Sequence, residues 1–183
     1  QVDPTAILDS SSQAYAGITD PTTLNFTAVD PVPTLSGSTP ADNGNLEVHS
    51  DLSLWFSENV YGGTGSIGLY QSDGTLVESF NVADGHGSQG GAVNFYGSTV
   101  DVNPKADLVA GTGYYVQVDP TAILDSSSQA YAGISDPTTL NFTAVDPVPT
   151  LLSSTPADNG TLEVHSDLSL GFSEGVHGGT GTI

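Results

Sequence analysis

Apolar and polar residues alternate along this chain in short runs, and the clearest run begins at Leu46. Leu46, Val48, Leu52, Leu54 and Phe56 fall on one side of a period-2 pattern, and Glu47, His49, Asp51, Ser53 and Trp55 fall on the other. An extended strand points successive side chains to opposite faces. The pattern therefore predicts a half-buried strand over residues 46–57, about 12 residues and roughly 40 Å long. Similar runs occupy Thr34–Ser38, Ile67–Gln71, Leu76–Val82, Ala92–Tyr96, Thr99–Asn103, Gly113–Asp119 and Leu140–Val145. Gly, Pro, Asn and Asp clusters such as Ser72-Asp73-Gly74 separate them, and no stretch has a convincing helical period. Leu54, Phe56, Tyr114, Val116 and Phe142 are expected in the core, and Trp55 on the surface.

The whole pattern recurs. Residues 1–67 return as 117–183 at an offset of 116, and 59 of the 67 paired positions are identical. A period this long, with near-identical copies, marks an array of whole domains rather than a solenoid of short units. The expected division is 1–30 as the C-terminal part of one unit, 31–146 as a complete unit, and 147–183 as the N-terminal part of the next. About eight strands per unit predict an all-β fold, an antiparallel sandwich of the immunoglobulin type in tandem repeats of about 116 residues. Within residues 1–30 the pattern predicts the tail of a strand, a long polar loop and a strand over Leu24–Val29. Asp30-Pro31-Val32-Pro33 reads as an extended, semi-rigid junction, because proline fixes φ and disfavours helix. Gln1 falls in the middle of a repeat, so the chain reads as a window on a longer one, with export and anchoring segments expected outside it.

Charge narrows the partners. There are 21 acidic residues against a single base, Lys105, giving a net charge of −20. Nucleic acid and anionic membranes both require Lys and Arg, so neither is an expected partner. Self-repulsion of this size calls for salt screening or bound divalent cations. Charged residues make up only 12% of the chain, and the ample Val, Leu, Phe and Tyr argue for a folded core. With no cysteine and no methionine, disulfides and thiol chemistry are excluded. No apolar run is long enough to insert into a bilayer as a helix.

Several segments then resemble a known family. In order they are Ser38-Thr39-Pro40-Ala41-Asp42-Asn43, Phe56-Ser57-Glu58-Asn59-Val60, Gly63-Thr64-Gly65-Ser66-Ile67 and Asn103-Pro104-Lys105-Ala106-Asp107-Leu108. Gly111-Thr112-Gly113-Tyr114-Tyr115-Val116, Tyr131-Ala132-Gly133-Ile134 and Thr138-Thr139-Leu140-Asn141-Phe142-Thr143 follow. Together they resemble the bacterial Ig-like domain of S-layer proteins and giant repetitive adhesins. The resemblance implies a spacer or adhesion module without catalytic residues, placed outside the cell or on its surface. The loop Asp125–Ala130 departs from the family pattern, lacking the Gly-Asn often seen there.

In such a sandwich loops alternate between the two poles. Asp30, closing one domain, is then expected near the pole built from the loop with Glu58 and the loop with Asp119, Asp125 and Asp136. The next junction repeats the set with Asp146 and Glu174. Converging carboxylates with no competing base suit Ca²⁺, a hard cation that takes six to eight oxygens. The competing reading is that these are solvated turn residues, since Asp favours turns for its own backbone hydrogen bonds.

The remaining candidates point to no chemistry. His49, His165, His86 and His177 lack metal-ligand spacing and read as surface residues. Gly85–Gly91 lacks a phosphate-loop ending and reads as a mobile loop. Lys105 follows the turn-forming Asn103-Pro104, whereas an isopeptide bond needs a buried lysine. Ser, His and Asp are present without a nucleophile-elbow pattern, so no enzyme is expected. Trp55 becomes Gly171 in the following copy, which leaves filament contact, ligand contact and plain variation open.

The function expected from the sequence is a structural stalk repeat of a large extracellular adhesin, surface layer or filament, with calcium-stiffened junctions. Its partners are neighbouring repeats, with self-association into a filament or layer. The alternative is a repeat that itself binds a glycan or protein.

Overall fold

The computed structural model describes residues 1–182 in two compact units, one ending at Val32 and the other beginning at Pro33. Among the described residues there is no helix. The second unit opens with β1 (Leu35–Thr39), β2 (Gly44–Glu47), β3 (Leu52–Phe56) and β4 (Tyr61–Gly62). β5 (Ser66–Gln71), β6 (Leu76–Asn81), β7 (His86–Gly87), β8 (Ala92–Tyr96) and β9 (Thr99–Asn103) follow. β10 (Gly113–Val118), β11 (Ile123–Leu124) and β12 (Asn141–Val145) complete the domain, and β13 (Leu151–Thr155) and β14 (Ser169–Phe172) form a separate pair.

Hydrogen-bonded neighbours run β1-β3-β9-β8-β7-β6-β5-β10-β12-β2. The two-residue β7 links the β1-β3-β9-β8 set to the β6-β5-β10-β12-β2 set, and the apolar faces of the two sets pack together. Leu52, Leu54 and Val102 from the first meet Ile67, Leu69 and Val116 from the second around a gap too small for water. This is the expected all-β sandwich. Leu54, Phe56, Tyr114, Val116 and Phe142 are all buried, and Trp55 is 41% exposed. Tyr114 stacks on Phe142 with centroids 5.6 Å apart, and its hydroxyl accepts from the Val109 amide at 2.9 Å.

Two features depart from the sequence reading. The run from Leu46 to Phe56 is not one long strand. β2 and β3 lie in different sets, joined by a turn in which the Ser50 amide donates to the Glu47 carbonyl at 2.9 Å. The side-chain parity survives the crossing, so Leu46 and Val48 face the core from one side and Leu52, Leu54 and Phe56 from the other. The five residues of β3 span only about 17 Å. The sandwich is also not wholly antiparallel: β2 pairs in parallel with β12, from Phe142↔Gly44 to Val145↔Glu47. Asp42 clasps this pair, its Oδ1 accepting from the Asn141 backbone amide at 3.1 Å and Asn141 Nδ2 at 3.0 Å.

The repeated segments show what a strand requires. Asn25–Val29 and Asn141–Val145 are the same five residues. The second copy is β12, held between β10 and β2; the first forms no strand. Phe142 is 2% exposed and Phe26 86%. Likewise Val48 is buried after β2, while its copy Val164 is 93% exposed and residues 161–163 form no strand. β1 and β3 do recur as β13 and β14, because both members of that pair are present.

Glu78, on β6, was not singled out by the sequence pattern, yet it is only 2% exposed. Its carboxylate is held by three backbone amides: Gln89 and Gly91 donate to Oε1 at 3.0 and 2.8 Å, and Lys105 to Oε2 at 2.9 Å. The Gly85–Gly91 stretch is therefore folded around this carboxylate rather than loose. A Cβ at Gly87 would stand 2.1 Å from Oε1, and one at Gly91 2.8 Å from Oε2. Glycine at both positions lets the backbone approach that closely.

Two stability predictions follow. Phe142→Ala should lower unfolding free energy by about 3–5 kcal/mol, while Phe26→Ala, identical in local sequence, stays within about 0.5 kcal/mol. Chemical denaturation of the two variants checks this. Glu78→Gln removes the charge and sets an amide NH₂ against backbone donors. It should cost about 2–3 kcal/mol, read from the denaturation midpoint at unchanged m-value.

Candidate metal centre

Glu58 follows the far end of β3 and is half-buried. The Phe56 ring meets Tyr131 edge to face with centroids 5.2 Å apart, and β11 pairs with β4 through Leu124↔Tyr61. These two contacts hold the loop after β11 beside the turn that carries Glu58.

Asp125 begins that loop and is 4% exposed. Its Oδ1 accepts from the amides of Ser127 at 2.8 Å and Gln129 at 2.7 Å, and its own amide donates to the Gln129 carbonyl at 2.9 Å. This is the aspartate's ordinary work of shaping a turn. It needs no tertiary help: in the first unit Asp9 Oδ1 accepts from Ser11 and Gln13 at 2.8 and 2.9 Å, although Asp9 is exposed. Ser128 and Ser12 take the left-handed conformation in these loops, with φ of 65° and 66°. What distinguishes Asp125 is its other oxygen. Oδ2 is buried and accepts no hydrogen bond.

Glu58 and Asp125 bring two acidic side chains together where they could help hold a metal ion: each offers one carboxylate oxygen, and the two oxygens lie within 4.8 Å of each other. Asp30 belongs to the first unit. At an effective dielectric near 20, two unit charges at that separation repel by on the order of 3 kcal/mol. A divalent cation reverses the sign of that interaction, and an all-carboxylate donor set suits a hard one.

The other four carboxylates are placed elsewhere. Asp119 is exposed and accepts from Thr121 N and Oγ1, both at 3.3 Å. Asp136 does the same with Thr138 at 2.8 Å. The Thr138 backbone amide and then its hydroxyl hold the Asp136 carboxyl below the usual carboxylate range. Neither joins Glu58 and Asp125. Asp146 is exposed and Glu174 half-buried, with Glu174 Oε1 enclosed and accepting no hydrogen bond. Both carboxylates lie close enough to His49, at the start of β3 rather than its end, to raise its pKa.

His49 is paired rather than isolated: its Nδ1 lies 3.0 Å from Asp107 Oδ1. The hydrogen bond to Asp107 is the main cause of its raised pKa, followed by the Asp107 charge, with Asp146 and Glu174 adding smaller contributions against desolvation. No sequence signal links these partners, which come from separate loops. A folded-state pKa above the unfolded value of about 6.5 means the pair stabilises fully below that value and loses its contribution as pH rises through the folded pKa. NMR titration should find His49 titrating above 6.5, and Asp107→Asn should return it toward that value. Both side chains are mostly exposed, so the effect on global stability should be small.

The sequence from residue 29 to residue 144 matches the family described as bacterial Ig-like domain. No curated protein matches the chain. Among solved structures, CopC from Methylosinus trichosporium OB3b is similar over 62% of this chain and 94% of its own, at 14% identity and a TM-score of 0.42. The S-layer protein rSbsC(31-844) is similar over 68% of this chain and 15% of its own, at 16% identity and a TM-score of 0.44. Among the described residues no helix is long and apolar enough to cross a membrane, which leaves β-barrels unaddressed. Domains of the matching kind are non-enzymatic structural or binding modules, and with well over half of its length covered this chain belongs to the bacterial Ig-like domain family.

Proposed function

We propose that the chain is a stretch of spacer domains from an extracellular or surface-attached bacterial protein, such as the stalk of an adhesin, a surface layer or a filament. The observation that carries this reading is the recurrence of 59 out of 67 residues at a 116-residue offset. A ligand site needs to occur once, whereas near-identical copies of a whole module add length. In this reading the domains divide at 1–30, 31–146 and 147–183, and the proline-containing joints Asp30–Pro33 and Asp146–Pro149 limit bending between them.

Calcium is the proposed stiffener of the joint, bound by Glu58 and Asp125 together with Asp30, which the sequence places at the joint. The buried Oδ2 of Asp125, which no protein donor meets, supports this assignment. Leaving such an oxygen unpaired is unfavourable, and an oxygen-seeking cation is the partner that satisfies it. The next joint would use Asp146 and Glu174 in the same way, whereas Asp119 and Asp136, turned to their own threonines, are left out.

The test uses the full chain in calcium and in chelator. At free calcium 100 times the dissociation constant, binding to the folded state alone adds about 2.7 kcal/mol. For a domain of this size that raises the melting temperature by on the order of 10 °C. Small-angle scattering should show a larger maximum dimension in calcium. Asp125→Asn should abolish both responses and leave the domain folded. Equal melting temperatures and equal dimensions in the two buffers would remove calcium from the account.

A further inference from the structure

One row of residues crosses the outer face of the β1-β3-β9-β8 set. Register pairs Gly37 with Trp55, Trp55 with Thr99, and Thr99 with Tyr96. The four therefore stand at one level and point away from the core that Leu54, Phe56 and Val100 face. Trp55 is 41% exposed and Tyr96 63%. Two strand spacings separate them, about 10 Å along the sheet. One level along, Ser53 pairs with Asp101 and Asp101 with Asn94. Ser53 Oγ donates to Asp101 Oδ1 at 2.6 Å, which fixes the carboxylate and leaves its second oxygen for another donor.

The indole has a prepared bed. A Cβ at Gly37 would stand 3.0 Å from Trp55 Cε3 and 3.5 Å from Cζ3, so the six-membered ring lies over that glycine. In the next copy the same cross-strand pair is Ser153 and Gly171, and a Cβ at 171 would meet Ser153 Oγ at 2.5 Å. The two positions vary together: Trp opposite Gly in one copy, Gly opposite Ser in the other. A tryptophan tolerated at random would not need its neighbour emptied.

We propose that this face binds a neutral glycan. Aromatic rings spaced across one sheet face offer stacking surfaces for the C–H faces of sugar rings. Asp101 supplies an acceptor for sugar hydroxyls, and Asn94 and Thr99 supply both donors and acceptors. The net charge of −20 repels an anionic ligand, while a neutral polyol meets no such penalty. This binding is independent of the spacer reading and of calcium, and it belongs to the Trp-bearing copy alone.

Trp55 is the only tryptophan in the chain, so its emission reports on the site directly. The full chain is titrated in chelator with cellohexaose, chitohexaose and mannohexaose. At least one should give a saturable blue shift. Tyr96→Ala should weaken that binding about tenfold. Gly37→Ser, a side chain the neighbouring copy already carries at this position, should lift the indole and weaken binding similarly with Trp55 retained. Tyr61→Ala, outside the row, should leave the affinity unchanged. No saturable change with any of the three sugars would overturn the proposal, as would affinities unaltered by both Tyr96→Ala and Gly37→Ser. Sedimentation showing self-association that Trp55→Ala abolishes would assign the face to contact between copies instead.

Discussion

The amides and carbonyls of an extended strand are satisfied only by another strand, and the domain rests on that supply of partners. β10 is its hinge point, bonded to β5 on one side and β12 on the other, with β12 in turn holding β2. Where the same sequence lacks those partners it does not form a strand, as residues 25–29 show beside 141–145. The difference in free energy is the burial of side chains such as Phe142, each worth about 1.5–3 kcal/mol, together with the ladder itself. Neither is available to a lone segment of the same composition.

Loops obey the opposite rule. The turn begun by Asp9 and the turn begun by Asp125 make the same hydrogen bonds although one is exposed and the other buried. A short carboxylate side chain reaching amides two and four residues on is a local interaction and survives without a surrounding fold. Function is layered onto that economy. Asp125 spends Oδ1 on its own loop, and the β4–β11 ladder carries Oδ2 to a buried position beside Glu58. One side chain thus belongs to both the scaffold and the candidate site.

The acidity of the chain is handled mostly by backbone donors, since one lysine cannot neutralise 21 carboxylates. Glu78 is the clearest case, buried in a strand and met by three amides rather than by a cation. Charge-assisted bonds of this kind are strong enough to organise the Gly85–Gly91 segment. They also leave the outer faces free of competing bases, which favours cation binding at Glu58 and Asp125 and neutral ligands on the Trp55 face.

Much of the architecture was legible in the chain itself. Period-2 alternation is a local projection of side chains, so it placed β8 and β9 with the bounds later observed and assigned Leu54, Phe56 and Val116 to the core. The segments around Asp42, Glu58 and Tyr114 carried the family. Alternation cannot report which sheet a strand joins, and the turn after Glu47 preserves parity while crossing from one set to the other. The 46–57 run therefore read as one strand although it is two. Loop aspartates could be nominated from the sequence, but whether a carboxylate turns to its own threonine, as Asp136 does, or toward Glu58, as Asp125 does, depends on contacts distant in the chain. The same holds for Glu78, whose partner Lys105 is 27 residues away, and for His49 with Asp107. Local spacing determined which residues face inward; only the packing of the two sheets decided which charges are buried and what they meet.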